Sequence, residues 1–439
     1  MLRAVGGYNT PKGVDFLYET EEKKERFVLV AVERDGFDAE SDLNELELLV
    51  ETANAEAVGR IIQKREAVHS GTYMGKGKVE EVKDLVEELA ADGIITDDEL
   101  SPAQQRNLSK ILGVKVLDRT MVILDIFAQR AQSAEGKAQV ELAQLKYRLS
   151  RLSGLGIQLS RQAGTAAHGG VGNRGPGEKK LELDRRYIRS RIDQLNKELK
   201  EIRENRAILR KKRVRTGQPV IALVGYTNAG KSTLLNAITG ADAFAEDKLF
   251  ATLDTTTRKT ALEGGMEVLF TDTVGFIHKL PHHLIQAFRA TLEELKYADI
   301  LLHVVDSSNP MYPGQMSVVY ETLKKLECMD KPIITALNKA DIKIDDVDFQ
   351  LTDAQALSTI TISAITGAGL PELLLAVDNV LQSMRSRMKV LIPYSEGGLV
   401  SQTHSTCEVL VSEHQEAGTY MEVYATPEMA GRLEEYILL

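Results

Sequence analysis

The segment "GYTNAGKST", residues 225–233, constrains the fold of this chain more than any other part of its sequence. It follows the apolar run "VIALV" and precedes the helical run "TLLNAIT", so a glycine-rich loop joins a buried strand to a helix. Gly225, Gly230, Lys231 and Ser232 satisfy the spacing G-x-x-x-x-G-K-[ST], in which backbone N–H groups surround a phosphate at a helix N-terminus. The sequence therefore predicts an α/β domain that binds the phosphates of a nucleotide.

The side chains of this loop have distinct expected roles. Lys231 would neutralise the β- and γ-phosphate oxygens, and the Ser232 hydroxyl would ligate Mg²⁺. We expect the nucleotide to contact the whole loop, namely Gly225, Tyr226, Thr227, Asn228, Ala229, Gly230, Lys231, Ser232 and Thr233.

A second motif indicates which base is bound. The string "ALNKAD" ends an apolar strand, and the Asp341 carboxylate can accept two hydrogen bonds from the N1–H and N2–H₂ groups of guanine, which adenine lacks. Asn338 and Lys339 would brace the pocket and cover the base. The later string "SAITG" begins with Ser363 and Ala364, and its loop is expected to donate backbone N–H groups to the guanine O6. Because a partly buried carboxylate without donors is costly, guanine should be preferred.

Two further loops are expected to sense the γ-phosphate. In "DTVG", Asp272 would hold Mg²⁺ through water, and the Gly275 N–H would reach the γ-phosphate. In "FATLDTTTR", we predict Thr252 as the ligand of Mg²⁺ and the γ-phosphate, in preference to the threonines at 255–257. Loops that are ordered by such contacts and released on hydrolysis form a two-state switch. The predicted metal ligands are Ser232, Thr252 and Asp272, and the predicted catalytic residues are Lys231, Thr252, Gly275 and Asn228.

The hydrophobic pattern divides the chain into four predicted domains. Residues 1–136 alternate strand-like and helix-like runs, which predicts an N-terminal α/β domain with a parallel sheet. Residues 137–214 predict a long antiparallel two-helix coiled-coil arm. Residues 218–386 predict the nucleotide-binding domain, with a doubly wound mixed sheet, and residues 388–439 a small C-terminal α+β domain. The apolar stripes of the arm consist of Leu142, Leu145, Leu149, Leu152, Ile188, Ile192, Leu195, Leu199 and Ile202.

The arm concentrates positive charge in an otherwise acidic chain. The formal net charge of the chain is −10, yet residues 137–215 contain 21 Lys/Arg against 8 Asp/Glu, a balance of +13. The glycine-rich loop 164–177 interrupts the arm. It is either a flexible connection or a cationic tip that reaches a phosphate-rich surface. The basic side chains in and beside this loop are Arg161, His168, Arg174, Lys179 and Lys180.

The order of these motifs resembles HflX, a family of ribosome-associated GTPases of the translation-factor class. The strings that carry the resemblance are "GKGKVEEV", "DRT", "GGVGNRGPGE", "GYTNAGKST", "FATLDTTTR", "DTVGFIHKLP" and "NKAD", which span nearly the whole chain. The resemblance implies GTP hydrolysis, with ATP as a secondary substrate. It also implies binding to rRNA of the large (50S) ribosomal subunit through the N-terminal domain and the arm, with the splitting of stalled 70S ribosomes as a further implied action.

Phe276 follows the "DTVG" motif at the position where switch proteins most often have a glutamine that orients the attacking water. A phenylalanine has no hydrogen-bonding group, so the sequence predicts that catalysis depends on another group. Asn228 could hold a K⁺ ion against the phosphates, or a ribosome could supply the missing group in trans. As a third interpretation, Asn228 only stabilises the loop backbone, because Asn is a common turn residue.

Two other functions stay open from the sequence: a signalling GTPase whose coiled coil binds a protein, and a GTPase linked to RNA modification. We find no run of eighteen apolar residues and no basic-then-apolar leader. We therefore expect a cytoplasmic monomer with no membrane span and at most peripheral membrane association.

Overall fold

The computed structural model describes residues 24–34, 38–163, 176–216, 218–240, 249, 250, 253, 255–263, 265–279, 292–342, 352–425 and 427–438. Within these ranges, only the backbone is described at positions 153–163, 176–180, 207, 209–216, 293, 408, 427 and 428. The described chain contains a four-stranded, a six-stranded and a three-stranded sheet.

The first sheet is parallel and lies between two layers of helices. Its strand order is β2-β1-β3-β4. Helices α1 and α4 pack on one face, and α2 and α3 pack on the other, so strand β1 is buried and apolar along almost its whole length. The elements are β1 (Arg26–Glu33), α1 (Ala39–Thr52), β2 (Glu56–Lys64), α2 (Lys76–Glu88), β3 (Gly93–Thr96), α3 (Pro102–Leu112), β4 (Lys115–Asp118) and α4 (Arg119–Arg130).

Two long helices follow, α5 (Ala134–Ala163) and α6 (Pro176–Thr216). They run antiparallel, because Glu141 pairs with Arg191 whereas Glu135, earlier in α5, pairs with Arg206, later in α6. Their apolar stripes meet in a core of Ala138, Leu142, Leu145, Ile188, Leu195 and Leu199, with Leu149, Leu152 and Ile192 packed beside it.

The glycine-rich segment between these helices falls mostly outside the described residues, which omit positions 164–175. The sequence predicted a loop up to residue 177, and this boundary is wrong, because helix α6 begins at Pro176. The physical reason is that proline fits the first turn of a helix, where its missing N–H is not needed.

The second sheet has the order β10-β9-β8-β5-β7-β6, and all of its strands are parallel except β6, which pairs antiparallel with β7. This confirms the predicted α/β P-loop fold with a mixed sheet. Its elements are β5 (Val220–Gly225), α7 (Lys231–Thr239), β6 (Thr256–Ala261), β7 (Glu267–Asp272), β8 (Ile300–Asp306), α8 (Tyr312–Lys325), β9 (Ile333–Asn338), β10 (Ser358–Thr361) and α9 (Leu370–Ser383).

The third sheet is antiparallel, with the order β11-β13-β12. Its elements are β11 (Ser386–Ile392), α10 (Gly397–Thr406), β12 (Glu408–Gln415), β13 (Gly418–Ala425) and α11 (Pro427–Leu433). Side chains from both helices pack with the apolar residues of β11 and β13 into a small separate core.

A continuous apolar cluster joins the N-terminal sheet to the loops of the second sheet. Phe127 of α4 meets Phe250 edge to face, with ring centroids 4.7 Å apart. Tyr226, Val274 and Ile277 lie in the same cluster. The loops that surround the phosphate-binding motif are therefore packed directly against the N-terminal domain.

Candidate nucleotide-binding site

The phosphate-binding loop connects β5 to α7 at the carboxyl edge of the second sheet, beside the ends of β8 and β9. Helix α7 begins at Lys231, so the loop lies at a helix N-terminus, where backbone N–H groups commonly bind anions. Gly230 has φ 89°, and a Cβ at this position would lie only 2.3 Å from the Asn338 amide nitrogen. Only glycine satisfies both the backbone conformation and the close approach.

Lys231 is buried at the centre of this loop. Its ammonium donates hydrogen bonds to the carbonyl oxygen of Tyr226 over 2.7 Å and to that of Gly225 over 3.3 Å. Burial lowers the pKa of Lys231 to about 8, although the nearby Asp272 carboxylate acts in the opposite direction. A bound anion would raise this pKa again and so stabilise the charged form of the lysine.

Ser232 and Asp272, two of the three predicted Mg²⁺ ligands, are brought together from different elements. The Ser232 hydroxyl at the start of α7 donates a hydrogen bond to Asp272 Oδ2 at the end of β7, over 2.7 Å. A hydroxyl and a carboxylate are the hard oxygen ligands that Mg²⁺ takes together with phosphate oxygens and water, so the pair fits that ion. The third predicted ligand, Thr252, lies outside the described residues.

Asn338 at the end of β9 connects the phosphate loop to the predicted base pocket. Its Nδ2 donates to the carbonyl oxygen of Ala229 over 2.9 Å, and its Oδ1 accepts the N–H of Ala364 over 2.9 Å. The side chain is 2% exposed. One buried amide thus fixes the spacing between the phosphate-loop motif and the predicted base-binding loop.

Asp341 and Ser363, both predicted at the base pocket, are also adjacent. The Ser363 hydroxyl donates to Asp341 Oδ1 over 2.6 Å, which orients the carboxylate. Lys339 takes a left-handed backbone conformation, φ 65°, and its ammonium pairs with Asp306 over 2.8 Å. The predicted base-binding residues are therefore clustered beyond the ends of β9 and β10.

Gly275 packs tightly against the phosphate loop. A Cβ at this position would lie 2.9 Å from both the Lys231 ammonium and Thr227 Cα. The next residue continues this contact, because the Phe276 N–H donates to Gly225 over 3.0 Å and Thr227 donates to the Phe276 carbonyl over 2.8 Å. The segment 275–276 therefore extends the edge of the phosphate loop.

This pairing turns the side chain of Phe276 into the core. The ring is 2% exposed and packs with Ala222, Val224 and Val319 between the second sheet and α8. The ring therefore anchors the "DTVG" loop to the core by packing. The prediction that another group assists hydrolysis remains a prediction.

Asn228 lies at the exposed tip of the phosphate loop in a left-handed conformation, φ 60°. Asn adopts this conformation more readily than most residues, which suits the interpretation that it stabilises the loop. The K⁺-binding role of Asn228 stays a prediction.

A ring of polar contacts joins the nucleotide site to the N-terminal sheet. Arg119 is 2% exposed and pairs with both Glu45 and Asp97, the Asp97 Oδ1 contact measuring 2.8 Å. The other oxygen of Glu45 accepts the Tyr226 hydroxyl, and the other oxygen of Asp97 pairs with the Lys279 ammonium. Each carboxylate therefore divides its two oxygens between Arg119 and one residue of the nucleotide site.

Two more contacts reinforce this ring. The His278 N–H donates to the Tyr226 hydroxyl over 2.8 Å, and the Lys279 ammonium lies 2.7 Å from Asp42. The His278 ring lies 3.0 Å from the other oxygen of Asp42. Burial opposes ionisation of Asp42, but the hydrogen bonds from His278 and Lys279 outweigh it and lower the pKa of Asp42 to about 2.

Sequence reasoning missed this ring. Glu45, Asp97 and Lys279 have no local motif, and the contacts between Tyr226 and Glu45 and between Lys279 and Asp97 join residues 181 and 182 positions apart. The one available signal was the string "DRT", which contains Arg119 but carries no indication of its partners.

The mixed sheet, the phosphate loop and the clustered base-binding residues define a P-loop GTPase. Family models match three consecutive parts of the chain: residues 40–128 match "GTP-binding GTPase N-terminal", residues 130–213 match "GTP-binding GTPase Middle Region", and residues 220–339 match "50S ribosome-binding GTPase". The chain is 52% identical over 420 residues to a GTPase HflX of Lacrimispora saccharolytica, covering 95% of this chain and 98% of that one. It is 41% identical over 363 residues to GTPase HflX of Escherichia coli, covering 82% and 84%.

The chain belongs to the HflX family of GTPases and hydrolyses GTP. Among solved structures, it is similar to SsGBP in complex with GDP, at 27% identity, TM-score 0.45, and coverage of 81% of this chain and 98% of that one. None of the helices in the described ranges has the length and apolar character needed to cross a bilayer.

Proposed function

We propose that this GTPase acts in the cytoplasm as a monomeric, nucleotide-dependent factor on the large ribosomal subunit, with rRNA contacted by the N-terminal domain and the arm. The supporting observation is an exposed aromatic ring between arginines on α6. Tyr187 is 72% exposed, and Arg186 and Arg189 beside it are exposed as well. Aromatic rings stack on unpaired RNA bases, and arginines bind phosphates, so this surface suits RNA.

The attachment of the arm supports a mechanical role. Arg151 of α5 donates to Asp118 Oδ2 at the end of β4 over 2.6 Å and to the carbonyl oxygen of Leu100 over 3.1 Å. The Tyr147 hydroxyl donates to the same Asp118 carboxylate over 2.7 Å. Because these contacts are partly or fully buried, the base of the arm is firmly attached to the N-terminal sheet. Splitting of stalled 70S ribosomes is the action that such a stiff arm would serve.

The nucleotide site would hold GTP or GDP with Mg²⁺. Ser232 and Asp272 would bind the ion, and Lys231 would bind phosphate oxygens. Thr252 and the Gly275 N–H would contact the γ-phosphate and so distinguish GTP from GDP. Mg²⁺ supplies charge stabilisation to the transferring phosphoryl group. Asp341 and the loop that begins with Ser363 and Ala364 would read the guanine edge.

Monovalent ions can show which group assists hydrolysis in place of the missing glutamine. If Asn228 holds K⁺, basal GTP hydrolysis should be faster in K⁺ than in Na⁺ at equal ionic strength, and Asn228→Ala should remove the difference. If hydrolysis ignores the cation but rises with added large subunits, the group comes from the ribosome.

The RNA contact of the arm is tested by sedimentation with purified large subunits across a salt series. The triple substitution Arg186→Gln, Tyr187→Ala and Arg189→Gln should weaken binding and reduce its salt dependence, because fewer counterions are released. The matched control Lys197→Gln with Lys200→Gln changes exposed charges on the same helix farther from the glycine-rich segment. If both variants lose the same amount of binding, the surface around Tyr187 is not a specific RNA contact.

The same experiment separates the two alternative functions. A signalling GTPase whose coiled coil binds a protein would bind through apolar helix packing and would show little salt dependence. A regulator of RNA modification would bind the modified RNA without requiring the large subunit.

A further inference from the structure

The carboxyl edge of the N-terminal sheet contacts the GTPase domain, and these contacts have no part in the proposed ribosomal role. The carboxyl edge of a parallel sheet is where α/β proteins bind ligands, at the point where the strand order reverses. In the first sheet this point lies between β1 and β3, because the order is β2-β1-β3-β4. Asp97 and Asp98 follow β3 at this edge, and the Lys279 ammonium of the GTPase domain pairs with both. The crevice is thus occupied by a side chain of the nucleotide switch.

Lys279 lies in this crevice with a backbone conformation that lysine seldom adopts. Its backbone is left-handed, φ 53°, which is uncommon for a non-glycine residue and persists where surrounding contacts enforce it. Burial alone would lower the pKa of Lys279, but Asp97, Asp42 and Asp98 raise it above its ordinary value. The ammonium is therefore charged and bound as a cation by three carboxylates.

The bound lysine restrains Gly275, four residues earlier in the chain. A Cβ added at Gly275 would lie 2.9 Å from Thr227 Cα and from the Lys231 ammonium, so Gly275 lies close against the phosphate loop. Bound GTP would place its γ-phosphate between Lys231 and Gly275, so the segment must move away from the loop. Because Lys279 anchors the far end of this segment, its contacts with the crevice oppose that movement.

The same crevice is connected to the base of the arm through two adjacent residues. Arg119 is the first residue of α4 and pairs with Asp97 and Glu45. Asp118 precedes it, caps α4 through the Met121 N–H over 3.0 Å, and accepts the contacts of Arg151 and Tyr147 from α5. A shift of α5 that loosens Asp118 would move the first turn of α4 and with it Arg119.

We infer that Asp118 and Arg119 couple the arm to the nucleotide switch. The contacts of α5 with Asp118 fix the position of Arg119, and the ion pair between Arg119 and Asp97 keeps Asp97 in contact with Lys279. Lys279 in turn keeps Gly275 in the position that opposes GTP binding. Arg119, Asp97 and Lys279 are positioning residues, since they act on Gly275 rather than on the nucleotide. The inference depends on GTP binding by this family and is independent of ribosome binding.

The test measures the ratio of dissociation constants for GDP and a non-hydrolysable GTP analogue, with the full chain and without ribosomes. Lys279→Met keeps the aliphatic stem and removes the cation, so the ratio should shift toward the analogue by at least about fivefold, a typical coupling between sites. Arg151→Gln should shift the ratio in the same direction by at least about twofold, although Arg151 contacts no residue of the GTPase domain in the described structure.

The decisive comparison is the double variant. In the Lys279→Met background, Arg151→Gln should produce a clearly smaller shift than in the wild type, because only the contact of Arg119 with Glu45 and Tyr226 still connects it to the phosphate loop. Tyr147→Phe, which removes only the hydroxyl that binds Asp118, serves as the milder substitution if Arg151→Gln fails to fold. Arg191→Gln is the matched control, since it breaks an arm ion pair with Glu141 that does not touch Asp118, and should leave the ratio unchanged.

The inference is overturned if folded Arg151→Gln and Tyr147→Phe proteins both keep the wild-type ratio. It is also overturned if Lys279→Met keeps that ratio, or if the shift caused by Arg151→Gln is as large in the Lys279→Met background as in the wild type. Loss of ribosome binding in any variant would bear on the proposed function alone, because the ratio is measured without ribosomes.

Discussion

The Ser232 hydroxyl and the Asp272 carboxylate lie 2.7 Å apart, although they come from the start of one helix and the end of a strand 40 residues later. This pair predicts that Mg²⁺ strengthens nucleotide binding. Ser232→Ala should weaken GDP binding in Mg²⁺ by at least about tenfold, equivalent to 1.4 kcal/mol, and EDTA should cause little further loss.

The matched control for that experiment is Thr239→Ala at the end of the same helix, whose hydroxyl donates to the Leu235 carbonyl instead of facing the site. It should keep the wild-type response to EDTA. A Ser232→Ala protein that still loses affinity on EDTA treatment as strongly as wild type would show that the ion is held elsewhere.

Asp341 should determine the base preference. Asp341→Asn presents fewer acceptors to guanine, so the GTP-to-ATP preference in competition binding should fall by at least about tenfold. Ser363→Ala, which removes the hydroxyl that orients Asp341, should reduce the preference less. An unchanged preference in Asp341→Asn would mean that the base is read by other residues.

Phe276 should matter for stability because its ring fills the core below the phosphate loop. Phe276→Ala should lower the free energy of unfolding by about 3–5 kcal/mol, whereas Phe276→Leu should cost less than about 1.5 kcal/mol. Denaturant unfolding of the two variants measures this difference. If Phe276→Ala unfolds like wild type but hydrolyses GTP at an altered rate, the ring acts at the reaction centre instead.

Nucleotide affinity should depend on pH through Lys231. Its pKa of about 8 in the ligand-free site must rise when phosphate binds, so binding takes up a proton and affinity falls as pH increases. GDP affinity should therefore fall roughly tenfold between pH 7 and pH 9. Calorimetry at pH 8.5 in two buffers of different ionisation enthalpy should detect the proton uptake. An affinity that is flat over this range would contradict a lysine with a lowered pKa.

The sequence predicted the parts of this protein whose chemistry is local. The phosphate loop follows from the spacing of Gly225, Gly230 and Lys231, because glycines and a helix start are needed wherever backbone surrounds a phosphate. The doubly wound sheet followed from the alternation of apolar strands and helices, whereas its strand order was not predicted.

Contacts between distant segments could not be predicted in the same way. The side chain of Phe276 points into the core because its backbone pairs with Tyr226, a long-range pairing with no sequence signal. Arg119 is a buried arginine whose partners Glu45 and Asp97 come from a helix and a strand end on the same sheet edge. Such a group is tolerated only because two carboxylates pair with its charge, and this pairing depends on the folded geometry.

Sedimentation of the intact chain with purified large ribosomal subunits, in the non-hydrolysable GTP analogue, in GDP and without nucleotide, shows whether ribosome binding depends on the bound nucleotide. The protein should pellet with the subunits in the analogue and much less in GDP. Lys231→Ala should abolish the difference, because it removes the main phosphate cation. Binding that is equal in all three nucleotide states, or absent from every one of them, would contradict a nucleotide-dependent ribosomal function.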